Sequence, residues 1–267
     1  MAIKPKTLIL NLLMEAVEPV SSQVIIQVSR LFEVTENSTR VTLARLLADK
    51  MLETPSRGHY QLGPAARNLA DDLSHWRDME EKVCPWDGRW IGVFVAHLGR
   101  GNRSAFRQRM RILHLAGFAE LAQGLLVRPN NLAGGTKTLR KRLEKLGLEP
   151  EAKLMVLTDL DKETNQRVMS LWDCEHLSSH YLEACNIMED WMSRANDMDA
   201  QTAAKESYLI GDESLRCIAF DPLLPEEMVD VAARCHYVQT MVRFDQLGKS
   251  IWKKLYKNYK TAVGVLN

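Results

Sequence analysis

Three short stretches of helical periodicity, separated by tight breaks and followed by a turn between two strand-like ends, fill the first 62 residues of the 267-residue chain. Apolar Leu8, Leu12, Leu13 and Ala16 recur at helical spacing from Thr7 to Val17, and Glu18-Pro19 ends the run. A second helix starts at Ser21 or Ser22 and carries Val24, Ile25, Val28 and Leu31. Phe32 to Glu36 reads as a short connection, and Asn37 as the N-cap of a third helix from Ser38 to Met51. Leu52 to Leu62 then folds back around Pro55-Ser56-Arg57-Gly58 as a two-stranded wing. The order predicts a winged helix-turn-helix over residues 1–63.

The third helix has two unlike sides. At 100° per residue, Ser38, Thr42, Arg45 and Asp49 share a sector of roughly 60° with Thr39 beside it, and Leu43, Ala44, Leu47 and Met51 lie opposite. An apolar side can pack on the preceding helices while small hydroxyls let the backbone approach a major groove. An arginine there can meet guanine O6 and N7 in a bidentate way. The candidate DNA contacts are therefore Ser38, Thr39, Thr42 and Arg45. Arg40, on the apolar side of the wheel, is assigned to a phosphate or a structural contact, and Arg57 and His59 at the wing tip to the backbone or minor groove.

Beyond Gly63-Pro64, an amphipathic helix from Ala65 to about Val83 (Leu69, Leu73, Trp76, Met79) reads as a connector over residues 64–84. Residues 85–160 then alternate. Trp90–Val95 is a buried-strand run, Arg103–Ala116 helical, Phe118–Leu121 and Leu125–Arg128 strands, Thr136–Leu146 a basic helix and Leu154–Leu157 a last strand. That β-α-β-β-α-β order predicts a ferredoxin-like domain. From Glu163 onward only helices are expected (163–172, 177–197, 200–209, 225–242 and 247–259), giving an all-α domain over 161–267 and an α+β multidomain chain.

Charge follows the same divisions. Lys plus Arg against Asp plus Glu number 10 and 11 in residues 1–84, 12 and 4 in 85–150, and 13 and 19 in 151–267. The blocks carry −1, +8 and −6, so the middle one suits an anionic partner or the acidic tail. No apolar run reaches membrane-spanning length and no secretory leader is read at the N-terminus. The five cysteines form no CxxC pair, as expected of reduced thiols in a cytoplasmic protein.

Other constellations lack the chemistry they suggest. His176 and His180 have the i, i+4 spacing of a shared metal, with Cys174, Glu175 and Cys185 near, but no HExxH pattern or distant third ligand accompanies them. A metal-dependent nuclease built on the middle domain needs carboxylates at the end of its first strand, which here reads Val95-Ala96-His97. Gly134-Gly135-Thr136-Lys137 lacks the GxxxxGK[ST] spacing of a phosphate loop. Neither a catalytic site, a metal nor a cofactor is expected.

Several segments together resemble the PaaX group of bacterial transcriptional regulators, typified by the repressor of phenylacetate catabolism. They are Arg40-Val41-Thr42-Leu43-Ala44-Arg45-Leu46-Leu47-Ala48-Asp49, Trp86-Asp87-Gly88-Arg89-Trp90, Gly117-Phe118 with Gly124 to Pro129, and Leu215 to Pro225. The chain departs from that pattern at Lys50-Met51, where a glycine usually ends the third helix, in its short wing, and after Pro225, where a proline-tryptophan element is expected. The resemblance implies a GntR-like winged helix, a Cas2-like ferredoxin fold, a helical C-terminal domain, homodimers on an inverted-repeat operator in double-stranded DNA, and release by an aryl-acyl-CoA thioester. Arg107 and Arg140 of the basic block are the candidate contacts to the phosphates of that effector. The alternatives are an enzyme on the middle domain and an adaptor whose winged helix meets a protein.

Overall fold

The computed structural model describes residues 3–16, 18–66 and 75–264. The chain is a mixed α+β protein with two antiparallel sheets. It divides into two compact units: residues 1–75 with 189–212 and 242–267, and residues 76–188 with 213–241. The tail expected to form a helical domain of its own at 161–267 is thus shared between the two.

The first unit opens with α1 (Pro5–Met14), α2 (Ser22–Leu31) and α3 (Glu36–Ala48). Proline supplies the first helical position of α1, where a missing N–H costs nothing. Ser21 caps α2 by accepting from the Val24 amide at 3.3 Å. Thr35, and not Asn37, caps α3, its Oγ1 accepting from the Ser38 amide at 3.3 Å. Hydroxyl caps satisfy one of the free amides of a first turn, and this one starts the helix two residues earlier than the asparagine suggests.

Strands β1 (Val20–Ser21), β2 (Leu52–Ser56) and β3 (His59–Leu62) form a sheet ordered β1-β3-β2. The hairpin turns through Arg57-Gly58, with Gly58 at φ +75°. β1, absent from the sequence expectation, pairs Val20 with Tyr60 and Ser21 with His59. The core joins Leu8, Ile9, Val24, Ile25, Val28, Leu43, Leu46 and Leu52, with tail residues Tyr208, Trp252 and Tyr256 packed against it. Tyr208 meets Phe32 edge-on at 4.9 Å and Trp252 stacks on it at 6.3 Å. Of the expected connector, Leu69 and Leu73 lie outside the described residues. Its end forms short 3-10 turns at His75–Asp78 and Glu80–Lys82.

The second unit contains β4 (Trp90–Phe94), α4 (Arg103–Leu115), β5 (Ala119–Ala122), β6 (Leu125–Pro129), α5 (Gly135–Lys145) and β7 (Lys153–Leu157). The strands lie in the order β5-β6-β4-β7, all neighbours antiparallel. Alternation along a strand puts Trp90 and Val127 on one face, where they pack with Val168 of α6 (Lys162–Met169). Ile91, Val93 and Leu126 turn to the other, while α4 buries Ile112 and Leu113, and α5 buries Leu139 and Leu143.

Three longer helices complete the chain: α7 (Cys174–Arg194), α8 (Ala200–Ala219) and α9 (Val231–Gly264). Each contributes residues to both units. α9 is one helix of 34 residues where two were expected, and α8 runs ten residues past its expected end at Leu209.

Candidate nucleic-acid interface

What α3 offers to a partner is set by which of its residues face the core. Thr39, Leu43 and Leu46 are buried, whereas Asn37, Arg40, Val41, Ala44, Arg45 and Ala48 are exposed. On a helical wheel the exposed set spans about 140°, with Asn37, Val41, Ala44 and Ala48 in the middle and the two arginines at its edges. The outward face is therefore a floor of small side chains between Arg40 and Arg45. It lies about 90° around the helix from the hydroxyl-rich sector expected from sequence.

The hydroxyls misled because they serve the helix itself. Thr39, expected to meet DNA, is fully buried and its Oγ1 donates to the Thr35 carbonyl at 3.1 Å. Thr42, half-buried, donates to the Ser38 carbonyl at 2.7 Å, the back-bonding that lets a hydroxyl sit against a helix without a partner outside it. Ser38 is half-buried beside the cap. Asn37, Val41, Ala44 and Ala48 were missed, because the outward face was chosen by its hydroxyls.

Charge at the start of α3 is organised around Glu36. Arg40 donates to Glu36 Oε1 from Nε at 3.0 Å and from an NH2 group at 2.8 Å, and Arg30 of α2 donates to Oε2 at 2.9 Å. The Arg40 hydrogen bonds, with both positive charges, hold the Glu36 carboxyl below the usual glutamate range. One carboxylate between two arginines leaves a net positive charge at the helix N-terminus, whose dipole has the same sign. The Arg45 side chain is exposed and makes no hydrogen bond or ion pair among the described residues. At the wing, Arg57 is exposed and half-buried His59 places Nδ1 3.3 Å from the Arg57 carbonyl.

The joints that orient α3 are alike at both ends. Glu33 and Lys50 follow the last turns of α2 and α3 at φ +63° and +56°. Val34 and Met51 donate their amides back to the Ser29 and Leu46 carbonyls at 3.0 and 2.9 Å, while Glu33 and Lys50 donate to Arg30 and Leu47. These are Schellman closures built on non-glycine residues.

The basic middle block is partly internal. Arg109, with its side chain 4 % exposed, pairs with Glu149 at 2.7 Å and donates to the Gly99 carbonyl. Arg128 is buried among acceptors: the carbonyls of Ala116, Pro129 and Pro222 and the Asn131 side chain. Burial disfavours its positive charge, and these neutral acceptors offset that cost. Of the two candidate effector contacts on α4 and α5, Arg107 is exposed, while Arg140 is occupied by the Ala152 carbonyl at 3.2 Å and Glu144 at 3.5 Å.

Trp86 to Trp90 closes on itself, with Arg89 donating to Asp87 and Trp86 Nε1 to the Arg89 carbonyl. The His176 and His180 rings lie 6.4 Å apart. Among the described residues no three His, Cys, Asp or Glu side chains are grouped to hold a metal ion, and no helix is long and apolar enough to cross a membrane.

No family model matches the sequence, and no curated protein sequence does. A solved structure, that of the uncharacterized protein Rv0674 from Mycobacterium tuberculosis, is similar over 93 % of this chain and 99 % of its own, with a TM-score of 0.58 and 17 % identity. The likeness extends to the fold alone.

Proposed function

We propose that the chain is a sequence-specific DNA-binding transcriptional regulator. In this reading the first unit is a winged helix with α3 as its recognition helix, and the β-α-β-β-α-β segment of the second is a ferredoxin-like domain. The observation that carries it is the outward face of α3, where small side chains let the helix backbone approach base edges and Arg45 stands unengaged beside them. In this reading Arg40 and Arg57 meet phosphates beside the groove, contacts of a kind that fix register without reading sequence.

The resemblance adds the rest of the proposal. The protein acts in the cytoplasm as a homodimer on an inverted repeat, with repression lifted by an aryl-acyl-CoA that meets exposed cations such as Arg107. It is a binding module and not an enzyme.

The test is selection of bound sequences from a random double-stranded DNA library by the full-length protein. The expected result is one enriched inverted repeat whose half-sites lie about one helical turn or a multiple of it apart. Enrichment of no sequence, with binding that only tracks salt, refutes the proposal.

A further inference from the structure

Val41 sits near the centre of the outward face of α3 and is 42 % exposed. The exposed Asn37, Ala44 and Arg45 lie one turn or less away. A β-branched apolar side chain is a middling helix former and gains nothing from water. This one also turns away from Thr39, Leu43 and Leu46, which face the core from the same helix. At the base edges of the major groove the apolar group is the thymine 5-methyl.

We infer that Val41, with Ala44 beside it, reads a thymine methyl in each half-site, which rests on the DNA-binding reading above. Four helical residues advance about 6 Å and base pairs about 3.4 Å, so this thymine lies within about two base pairs of the base that Arg45 contacts. The surface thus asks for a thymine beside a guanine. Arg45 supplies hydrogen bonds to the guanine, and Val41 a dry contact for the methyl.

The experiment replaces thymine by uracil, one position at a time, in the site selected from random DNA. Uracil keeps the base-pairing and hydrogen-bonding edge and removes only the methyl. Burial of one methyl corresponds to about a fourfold change in Kd. For the parent protein, one thymine position per half-site weakens about fourfold on substitution. For Val41→Ala, an exposed and helix-favouring change that leaves the core untouched, the preference for thymine over uracil at that position shrinks to what the Ala44 methyl still contacts. Parent protein indifferent to uracil at every thymine overturns the inference, and so does Val41→Ala with the thymine preference intact. Either result leaves DNA recognition standing, because a site has been selected. If no site is enriched, the DNA reading falls and this inference with it.

Discussion

Lys50 occupies the position at which a glycine would cost least, and the structure sets how much a glycine there would gain. Its φ of +56° places an L side chain in the left-handed region, at a cost of about 1–2 kcal/mol. Glycine removes that strain but adds unfolded-state freedom costing about 0.5–1 kcal/mol. The Lys50 side chain is exposed and makes no hydrogen bond or ion pair among the described residues, so nothing else is lost. Lys50→Gly should therefore stabilise the end of α3 by about 0.5–1 kcal/mol, whereas Lys50→Ala, which keeps the strain, should stay within about 0.5 kcal/mol of the parent. Glu33→Gly relieves the same strain but gives up the exposed pair of Glu33 with Lys205 at 3.2 Å, a contact worth about 0–1 kcal/mol, and its gain is smaller.

A chain with two compact units need not melt in one step, so the assay has to be local. Hydrogen exchange followed by mass spectrometry on peptides covering α3 reports the opening of that helix directly. Slowing by about two- to fivefold in Lys50→Gly and no change in Lys50→Ala is the expected pair. Equal exchange in the two variants, or faster exchange in Lys50→Gly, would refute the reasoning that the backbone at residue 50 is strained.

Arg45→Ala should lose base preference at one position per half-site, at about 1–3 kcal/mol per contact, with circular dichroism unchanged; operator affinity equal to the parent's would refute the role. Light scattering at micromolar protein should give twice the chain mass, and a monomer with and without DNA would remove the inverted-repeat geometry. In gel-shift titrations phenylacetyl-CoA should release DNA where free coenzyme A and phenylacetate do not. Tenfold release needs about 1.4 kcal/mol of unequal affinity between the DNA-bound and released states, and a panel of acyl-CoA thioesters giving neither release nor thermal stabilisation would exclude the effector class. In the second unit, hydrogen bonding to Arg109 holds the Glu149 carboxyl below its ordinary range. Its stabilisation is present above the ordinary glutamate pKa and lost as pH falls through the lowered one. Glu149→Ala should cost about 2–3 kcal/mol at neutral pH and flatten the acid limb of the stability curve, and an unchanged limb would contradict the pairing.

How much of this was legible in the sequence depended on what each residue's signal stood for. Helical period and turn chemistry located α1 to α3 and the alternating segments of residues 90–157, because apolar spacing reports burial directly. Glycine did not report so simply. Gly211 lies two residues past the expected helix end at Leu209, yet α8 runs on through it, and Gly248 lies inside α9. A Cβ on Gly211 would stand 3.4 Å from Phe244, and one on Gly248 3.6 Å from Ser207, ordinary contact distances, so both positions face the neighbouring helix without requiring a glycine. The outward face of α3 was misjudged for a related reason. Thr39 and Thr42 satisfy their hydroxyls on their own helix, while Val41 and Ala44 look inward-facing by composition and point out.

The segments behind the resemblance to the PaaX group divide in the same way between holding the chain and meeting a partner. Gly117, at φ +78°, leaves no room for a Cβ, which would stand 2.7 Å from the Pro222 carbonyl oxygen. Arg128 and Asn131 donate to the carbonyls of Pro222 and Leu223, and Asp221 accepts from Tyr181 at 2.7 Å and from the Leu223 amide at 2.7 Å. Leu223 is buried at φ +52°, a conformation that persists only where its surroundings over-determine it. Gly117-Phe118, Gly124 to Pro129 and Asp221 to Pro225 are therefore one buried knot of the second unit, and Trp86 to Trp90 is a self-closed turn. Residues of this kind tie a likeness to the fold and are silent about what is bound. Of those segments, Arg40 to Asp49 is the one whose exposed residues form the proposed DNA surface. On the DNA-binding proposal, two chains sharing the knot can differ in operator while folding alike, and substitutions at Val41, Ala44 and Arg45 are expected to change base preference where substitutions in the second unit are not.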